Sequence, residues 1–275
     1  MIPKTIHYCW FGGKEIPQVL QEYMSSWKIL EDAGYKIIRW DETNCSFDEN
    51  NFVKAAYAER RWAFISDYYR LKALHEHGGI YLDTDVIIYK PFDDLLEEQA
   101  FVGYMHSCDI ATSVIGAEKN SSFIKKMLNM YETGCFTTVQ NVLLNETEDN
   151  IYIEDNWPAN NECITWNIIK LYPEILLNNK WQRFSDFIVL PYGFLDGGRI
   201  DGHEYCRHMY TNLWRSSLKE QSSILKMIRK TIVYRRIKAC KTIFGRMRAE
   251  KKTTFYRYRK EIAQRREAYS KESHI

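Results

Sequence analysis

The sequence has no apolar run long enough to cross a bilayer, no C-x-x-C pair, no internal repeat and no low-complexity stretch. Its seven cysteines are odd in number and widely scattered. That excludes a disulfide framework and a zinc site, and reads as reduced thiols in a cytosol. No secretory signal is expected: the short apolar stretch after Met1-Ile2-Pro3-Lys4 is interrupted by Gly12, Gly13, Lys14 and Glu15. No nucleic-acid-binding motif accompanies the basic residues, so RNA or DNA is not an expected partner.

What is present is the composition of a soluble globular protein, 45% hydrophobic and 27% charged. The 275 residues suit one large domain, or one domain with an appendage. Eight Trp and nineteen Tyr exceed what a core alone asks for and point to ring-stacking surfaces. The net charge of +2 hides an asymmetry. Residues 219–275 hold 18 of the 38 Lys and Arg but only 5 of the 36 Asp and Glu, so a tail of +13 follows a body of −11. The chain therefore divides into a body, 1–218, and a basic tail, 219–275.

Hydrophobic periodicity gives strands at Thr5 to Phe11, Tyr35 to Trp40, Ile80 to Ile88, Ala100 to Tyr104, Ala111 to Gly116 and Phe187 to Pro191. Helical spacing covers Ile16 to Asp32, Asn51 to His77 (as two helices), Ser121 to Tyr131 and Cys163 to Leu171. Residues 155–167, polar and aromatic, read as an irregular acceptor-side loop. Strands alternating with helices imply an α/β fold with a mainly parallel sheet. In such folds ligands collect at the carboxyl ends of strands. Gly12-Gly13, Trp40-Asp41 and Asp83-Thr84-Asp85 all fall at such ends.

The stretch GGIYLDTDVI, 78–87, carries two aspartates where a buried strand should be apolar. If the strand is continuous, Tyr81, Asp83 and Asp85 share one face. The two Asp Cα atoms would then lie about 6.5 Å apart. Carboxylates at that range repel, and a hard divalent cation such as Mn2+ or Mg2+ relieves the conflict. Such a cation can also hold a diphosphate. The alternative is a solvated turn in which an Asp caps the next element. In the preceding helix, Asp67 and Arg70 are three residues apart and share a face. The apolar residues around them leave little solvent-facing room, so a semi-buried pair is expected.

IPKTIHYCWFGG followed by FISDYYRLKALHEHGGIYLDTDV resembles the sugar-binding DXD region of glycosyltransferase family 32, with the matched segments inside residues 1–118. That family includes bacterial capsular-polysaccharide enzymes and yeast initiating mannosyltransferases, and the layout recurs in clostridial toxin glucosyltransferases. The resemblance implies a GT-A fold, a Rossmann-like nucleotide-binding mixed sheet flanked by helices. It implies a retaining hexosyltransferase with a nucleotide-sugar donor and Mn2+ (or Mg2+) as cofactor. By the same resemblance Trp10 stacks on the base and Ser66 lies near the nucleoside. Asp67 and Arg70 bond donor-sugar hydroxyls, and Tyr81 approaches the diphosphate. Asp83 touches ribose, sugar or a metal-bound water, and Asp85 binds metal. Asp83, Asp85 and Arg70 form the implied catalytic set. RWDETN resembles the family's second nucleotide-contact loop, while Asn120-Ser121-Ser122 departs from the family's usual ending on the acceptor side.

GHEYCRHMYTNLWRSS, 202–217, resembles the His-rich, Trp-terminated close of the family. The resemblance implies His208 as a further metal ligand, with Asn212 and then His203 behind it, and Trp214 as a cover over the donor. Read alone, His208 is more often a satisfied polar residue than a ligand, and Trp214 is equally a lid or a core residue. His7 reads as structural.

In the tail, Ile224, Ile228, Ile232, Leu225, Ile237 and Phe244 recur at helical spacing among Lys226, Arg229, Lys230, Arg235, Arg236, Lys238 and Lys241. This reads as a basic amphipathic helix on an anionic membrane surface, with Phe255, Tyr256, Tyr258 and Tyr269 as interfacial aromatics. Packing on the body or on a second copy of the chain, with the charges merely solvated, is the alternative. The expected activity is transfer of a sugar, from UDP-hexose ahead of a GDP-sugar, to a glycan or lipid-linked glycan acceptor in bacterial surface polysaccharide synthesis. The expected place is cytoplasmic, peripheral at the inner face of the membrane. The rival readings are a non-catalytic, membrane-tethered nucleotide-sugar or glycan-binding protein, and a metal-dependent phosphohydrolase; the latter lacks a downstream Lys and acidic cluster.

Overall fold

The structure is a computed structural model that describes residues 1–105, 108–143, 157, 160–196, 202–211, 247–248 and 250–272. Its centre is a mixed seven-stranded sheet. β1 (Thr5–Cys9) pairs parallel with β2 (Lys36–Trp40) on one side and β3 (Gly79–Leu82) on the other. β3 pairs antiparallel with β6 (Val114–Ala117), and β6 pairs antiparallel with β5 (Ala100–Gly103). β8 (Ile188–Leu190) runs parallel to β5, and β7 (Gln182–Arg183) closes the edge antiparallel to β8. A separate ribbon joins β4 (Val86–Ile88) to β9 (Cys206–His208).

Alternation along these short strands builds two cores. Ile80, Leu82, Phe101, Val114, Ile188 and Leu190 face a cluster with Trp27, Leu30, Phe92 and Tyr205. Tyr81, Val102, Ile115 and Val189 face the other way, into a cluster shared with Ile65, Leu71, Leu74, Phe123, Met127 and Trp166. That second layer is made by α3 (Asn51–Ala58), α4 (Trp62–His77), α5 (Ser122–Thr133), α6 (Val139–Leu143) and α7 (Asn160–Leu171). The expected helix over Ile16 to Asp32 is broken into α1 (Gln18–Met24), a 3-10 turn at Ser25–Trp27 and α2 (Lys28–Asp32). The turn places the buried Trp27 so that its indole N–H donates to the Val86 carbonyl at 2.8 Å.

Two sequence expectations change here. Ile80 to Ile88 is not one strand: the Val86 N–H donates to the Asp83 carbonyl at 3.1 Å, closing a turn at Asp83-Thr84-Asp85, and β4 leaves the main sheet to pair with β9. The helix expected over Cys163 to Leu171 is present and starts at Asn160, so the part of the expected irregular loop from Asn160 to Asn167 is helical.

The Gly78-Gly79 step exists because β3 must lie close against β1. Both glycines have positive φ, +66° and +118°, and a Cβ at Gly79 would come within 2.5 Å of the Thr5 carbonyl oxygen. His7, fully buried, closes the same corner. Its Nδ1 accepts from the Trp40 indole at 3.0 Å, so Nε2 carries the hydrogen and donates to the Gly78 carbonyl at 2.8 Å. This satisfied, neutral imidazole is the structural residue that the sequence implies.

Residues 254–272 pack on the body. α8 (Thr254–Arg257) places Phe255, 2% exposed, 4.8 Å from the Trp166 ring. α9 (Arg259–Glu272) buries Ile262 and donates from Arg265 Nη1 to the Val142 carbonyl. Thr254 Oγ1 donates to Glu162 at 2.8 Å. Phe255 is therefore a core residue, because Trp166 offers it a buried face, and not an interfacial aromatic. Tyr256 and Tyr258 lie half-buried against the same cluster. The amphipathic stripe from Ile224 to Phe244 lies outside the described residues.

Burial holds the His7 pKa down at about 4. An unfolded chain takes up that proton near pH 6.5, as ordinary histidine does. Stability should thus fall as pH drops from about 6.5 toward 4, by up to about 3 kcal/mol from this residue. Urea unfolding across that window should show a flatter pH dependence for His7→Gln than for the wild type; equal slopes would contradict the assignment.

Candidate donor and metal site

The turn after β3 brings Asp83 and Asp85 together, and the ribbon brings His208 to them. Val86 is in register with His208, so the imidazole lies directly beside the residue that precedes β4. One ligand atom from each of Asp83, Asp85 and His208 lies within 4.8 Å of the other two. His208 Nε2 is 3.1 Å from Asp85 Oδ1. The other Asp85 oxygen accepts from the Thr211 N–H at 2.8 Å and the Thr211 hydroxyl at 2.9 Å. Burial alone would raise the Asp85 pKa, but the His208 and Thr211 hydrogen bonds outweigh it and hold the carboxyl below its usual range. For His208, burial opposes the charge, yet Asp196 and Asp85 outweigh burial and lift the pKa to about 10. Two carboxylates and an imidazole converging on one point are a donor set that suits a divalent ion such as Mn2+.

Arg70 enters from the other side. It is 5% exposed on α4, and every part of its guanidinium is occupied. Nη2 donates to Asp67 Oδ1 at 2.7 Å, Nη1 to the Thr112 carbonyl at 2.6 Å and Nε to the Ser66 carbonyl at 3.3 Å. Nη1 also lies 3.5 Å from Asp83 Oδ1. The Tyr81 ring lies 4.6 Å below the guanidinium, and the Tyr81 hydroxyl donates to Asp83 Oδ1 at 2.9 Å. Asp67 also accepts from Asn160 Nδ2 at 2.9 Å, and Asn160 accepts from the Tyr131 hydroxyl. Burial pushes the Asp67 carboxyl up to about 7 even against the pull of Arg70. Asp83 is raised by burial too, with Arg70 and His208 opposing. The expected semi-buried Asp67–Arg70 pair is thus present.

The third part is an open cleft of about 720 Å3 at the ends of β1 and β2. Gly12, Gly13, Lys14, Asp41, Glu42, Thr43, Tyr57 and Trp62 are among the residues that line it. Gly12 has φ +100°, its N–H donates to Glu42 Oε1, and a Cβ there would meet the Trp62 ring at 2.8 Å. Trp10 is half-buried next to this corner, where its indole N–H donates to the Lys14 carbonyl at 2.6 Å. Ser66 lies one turn before Arg70, and its hydroxyl donates to the Trp62 carbonyl at 3.0 Å.

The structure therefore gathers Asp67, Arg70, Tyr81, Asp83, Asp85 and His208 into one contiguous network, with the Ser66 carbonyl on Arg70 at its margin, while Trp10 is tied instead to Lys14 beside the cleft. His203 is exposed and is not one of the three converging ligands. Asn212 and Trp214 lie outside the described residues. Sequence reasoning missed four contributors: Asn160 on Asp67, Thr211 on Asp85, Asp196 on His208, and Trp62 in the cleft. Asp196 precedes Gly197-Gly198 and reads as a turn residue; only Trp62, an aromatic at the start of the motif-bearing helix, offered a signal.

Residues 17–102 match the family model described as glycosyltransferase sugar-binding region containing DXD motif. The chain is 37% identical over 84 residues to glucan organizing enzyme 1 of Cryptococcus neoformans var. grubii, covering 27% of this chain and 23% of that protein. It is 36% identical over 103 residues to an uncharacterized glycosyltransferase of Acanthamoeba polyphaga mimivirus, covering 35% and 40% respectively. Over 109 residues it is 30% identical to inositol phosphoceramide mannosyltransferase 1 of Schizosaccharomyces pombe, covering 37% and 33%. Each match spans well under half of the relative's length. Among solved structures, PaToxG glycosyltransferase aligns with a TM-score of 0.42 at 21% identity, over 62% of this chain and 70% of that one. Asp67, Arg70, Asp83 and Asp85 all fall inside the stretch, residues 17–102, that is similar to the sugar-binding region of DXD-containing glycosyltransferases.

Proposed function

We propose that this chain is a metal-dependent, retaining glycosyltransferase that moves a sugar from a nucleotide-sugar donor to a glycan acceptor. The observation that carries the reading is the convergence of Asp83, Asp85 and His208 beside the buried Asp67–Arg70 pair, within and next to the matched region. Asp85 and His208 would hold the cation, with Asp83 beside them, and the mixed oxygen and nitrogen donor set favours Mn2+ over Mg2+. When bound, such a cation supplies charge that stabilises a departing diphosphate. Arg70 keeps a fixed positive charge against Asp83, held from three sides so that it needs no reorganisation. Asp67 offers a carboxylate for a sugar hydroxyl. The cleft at Gly12, Glu42 and Trp62, with Trp10 at its corner, gives a base and ribose room against aromatic faces.

Retention of configuration and a UDP-hexose donor are inferred from the resemblance to family 32. A glycan or lipid-linked glycan acceptor, in bacterial surface polysaccharide synthesis, is likewise inferred from that resemblance; a relative named for inositol phosphoceramide is compatible with a lipid-linked acceptor. A cytoplasmic place at the inner membrane face rests on the basic tail alone. The intact donor set argues against a non-catalytic binding protein.

A panel of nucleotide sugars scored for Mn2+-dependent hydrolysis tests the activity. One donor should be cleaved, and Asp85→Ala should lower the rate by more than the roughly 10²–10³-fold that loss of a single electrostatic element costs. Near-normal turnover by a folded Asp85→Ala protein would remove Asp85 from the mechanism.

The membrane reading is tested apart from it. Because Phe255 and Ile262 are core residues, the basic residues from Lys226 to Lys241 should be neutralised rather than the tail removed. Each basic residue near an anionic surface contributes about 1 kcal/mol. Sedimentation with anionic liposomes at low salt should capture the wild type and lose the neutralised variant, with donor hydrolysis unchanged. A wild type that ignores such liposomes at low salt would end the membrane reading.

A further inference from the structure

A carboxylate oxygen lies beside each nitrogen of His208. Nε2 faces Asp85 Oδ1 at 3.1 Å, while Nδ1 faces Asp196 Oδ1 at 3.5 Å. Asp196 comes from the loop after β8, 2% exposed, far in sequence from the DXD turn. Its second oxygen accepts a hydrogen bond from the Tyr210 hydroxyl. Tyr210 also lays its ring over the imidazole, with centroids 4.1 Å apart. It does so from a backbone φ of +50°, a conformation that a bulky side chain adopts only where its surroundings enforce it. The next residue, Thr211, then reaches Asp85 through both its N–H and its hydroxyl. One short run, 208–211, thus ties His208, Asp196 and Asp85 into a single arrangement.

An imidazole presents either of two edges when its ring flips. Only one of these directs Nε2 to the carboxylates of the turn, and a carboxylate at Nδ1 selects that one. Metal-binding histidines commonly donate their second N–H to such a partner, which fixes ring orientation and raises ligand strength. We propose that Asp196 is the positioning residue that holds His208 as an Nε2 ligand of the divalent cation, and that the Tyr210 hydroxyl aims Asp196. This rests on the metal-site reading above. It adds a long-range carboxylate that lies outside the matched DXD region, so the metal site depends on the strand-to-loop exit of β8 as well as on the DXD turn.

The test uses the full chain and Mn2+ alone. Affinity is measured by calorimetry, and histidine coordination by the nitrogen modulation of bound Mn2+ in pulsed EPR. Asp196→Asn should weaken Mn2+ binding about 10–100-fold and diminish the nitrogen signal. Tyr210→Phe, which removes one hydroxyl and keeps the ring, should shift both in the same direction by less. His208→Ala should abolish the nitrogen signal, and adding Asp196→Asn to it should cost nothing further, because the two act through one ligand. Mn2+ affinity within twofold of wild type and an intact nitrogen signal in Asp196→Asn would overturn the inference, as would losses that multiply in the double variant. If the wild type binds Mn2+ no better than Asp85→Ala, the metal-site reading fails and this inference falls with it. If Asp85→Ala loses the ion while Asp196→Asn keeps it, only the inference fails.

Discussion

Two carboxylates cannot sit side by side in a half-buried turn without positive charge to answer them. Around Asp83 and Asp85 that charge arrives from opposite sides. Arg70 approaches Asp83 from the helix layer, and His208 approaches Asp85 from the ribbon. Much of the nearby architecture follows from delivering those two groups. α4 is buried around Arg70, at Tyr68, Tyr69, Leu71, Ala73 and Leu74, which removes water from Arg70 and obliges Asp67 and the Ser66 and Thr112 carbonyls to satisfy it. β4 leaves the main sheet because its partner, β9, carries the imidazole. A site balanced this way holds acidic groups in place while still offering a cation two carboxylates and an imidazole.

The same logic explains how the site combines rigidity with access. Arg70 and Tyr81 are closed off within the core, so their geometry is set by packing. Asp83 keeps about a quarter of its side-chain surface exposed, and the cleft at Gly12 opens directly to solvent. The glycines at both corners serve close approach: Gly79 lets β3 lie against β1, and Gly12 leaves room for the Trp62 ring.

Much of this was legible in the sequence. The α/β alternation, the two glycine corners, the Asp67–Arg70 pair and the unusual aspartates at a strand end are local patterns, and a local pattern survives without knowing what the chain folds against. His208 was legible through family resemblance alone. The contacts that were not legible are long-range. Thr211 meets Asp85 across 126 residues and Asn160 meets Asp67 across 93, and neither spacing leaves a trace in composition or periodicity. The break between β3 and β4 was hidden for another reason. Ile80 to Ile88 alternates as one strand would, and only the pairing of β4 with β9 shows that the aspartates converge through a turn rather than along a strand face. Phe255 illustrates the remaining failure: an aromatic in a basic, helical context reads as interfacial until Trp166 is seen to cover it.

The central claim is that one turn and one ribbon together build a single divalent-cation site. Crystals grown with Mn2+ and a nucleoside diphosphate, measured above and below the manganese absorption edge, address it most directly. The account predicts one anomalous peak within bonding distance of Asp85 and His208 Nε2, with Asp83 bound directly or through water. Saturating Mn2+ that leaves no peak there, in a protein whose Asp83, Asp85 and His208 stand as described, would contradict it.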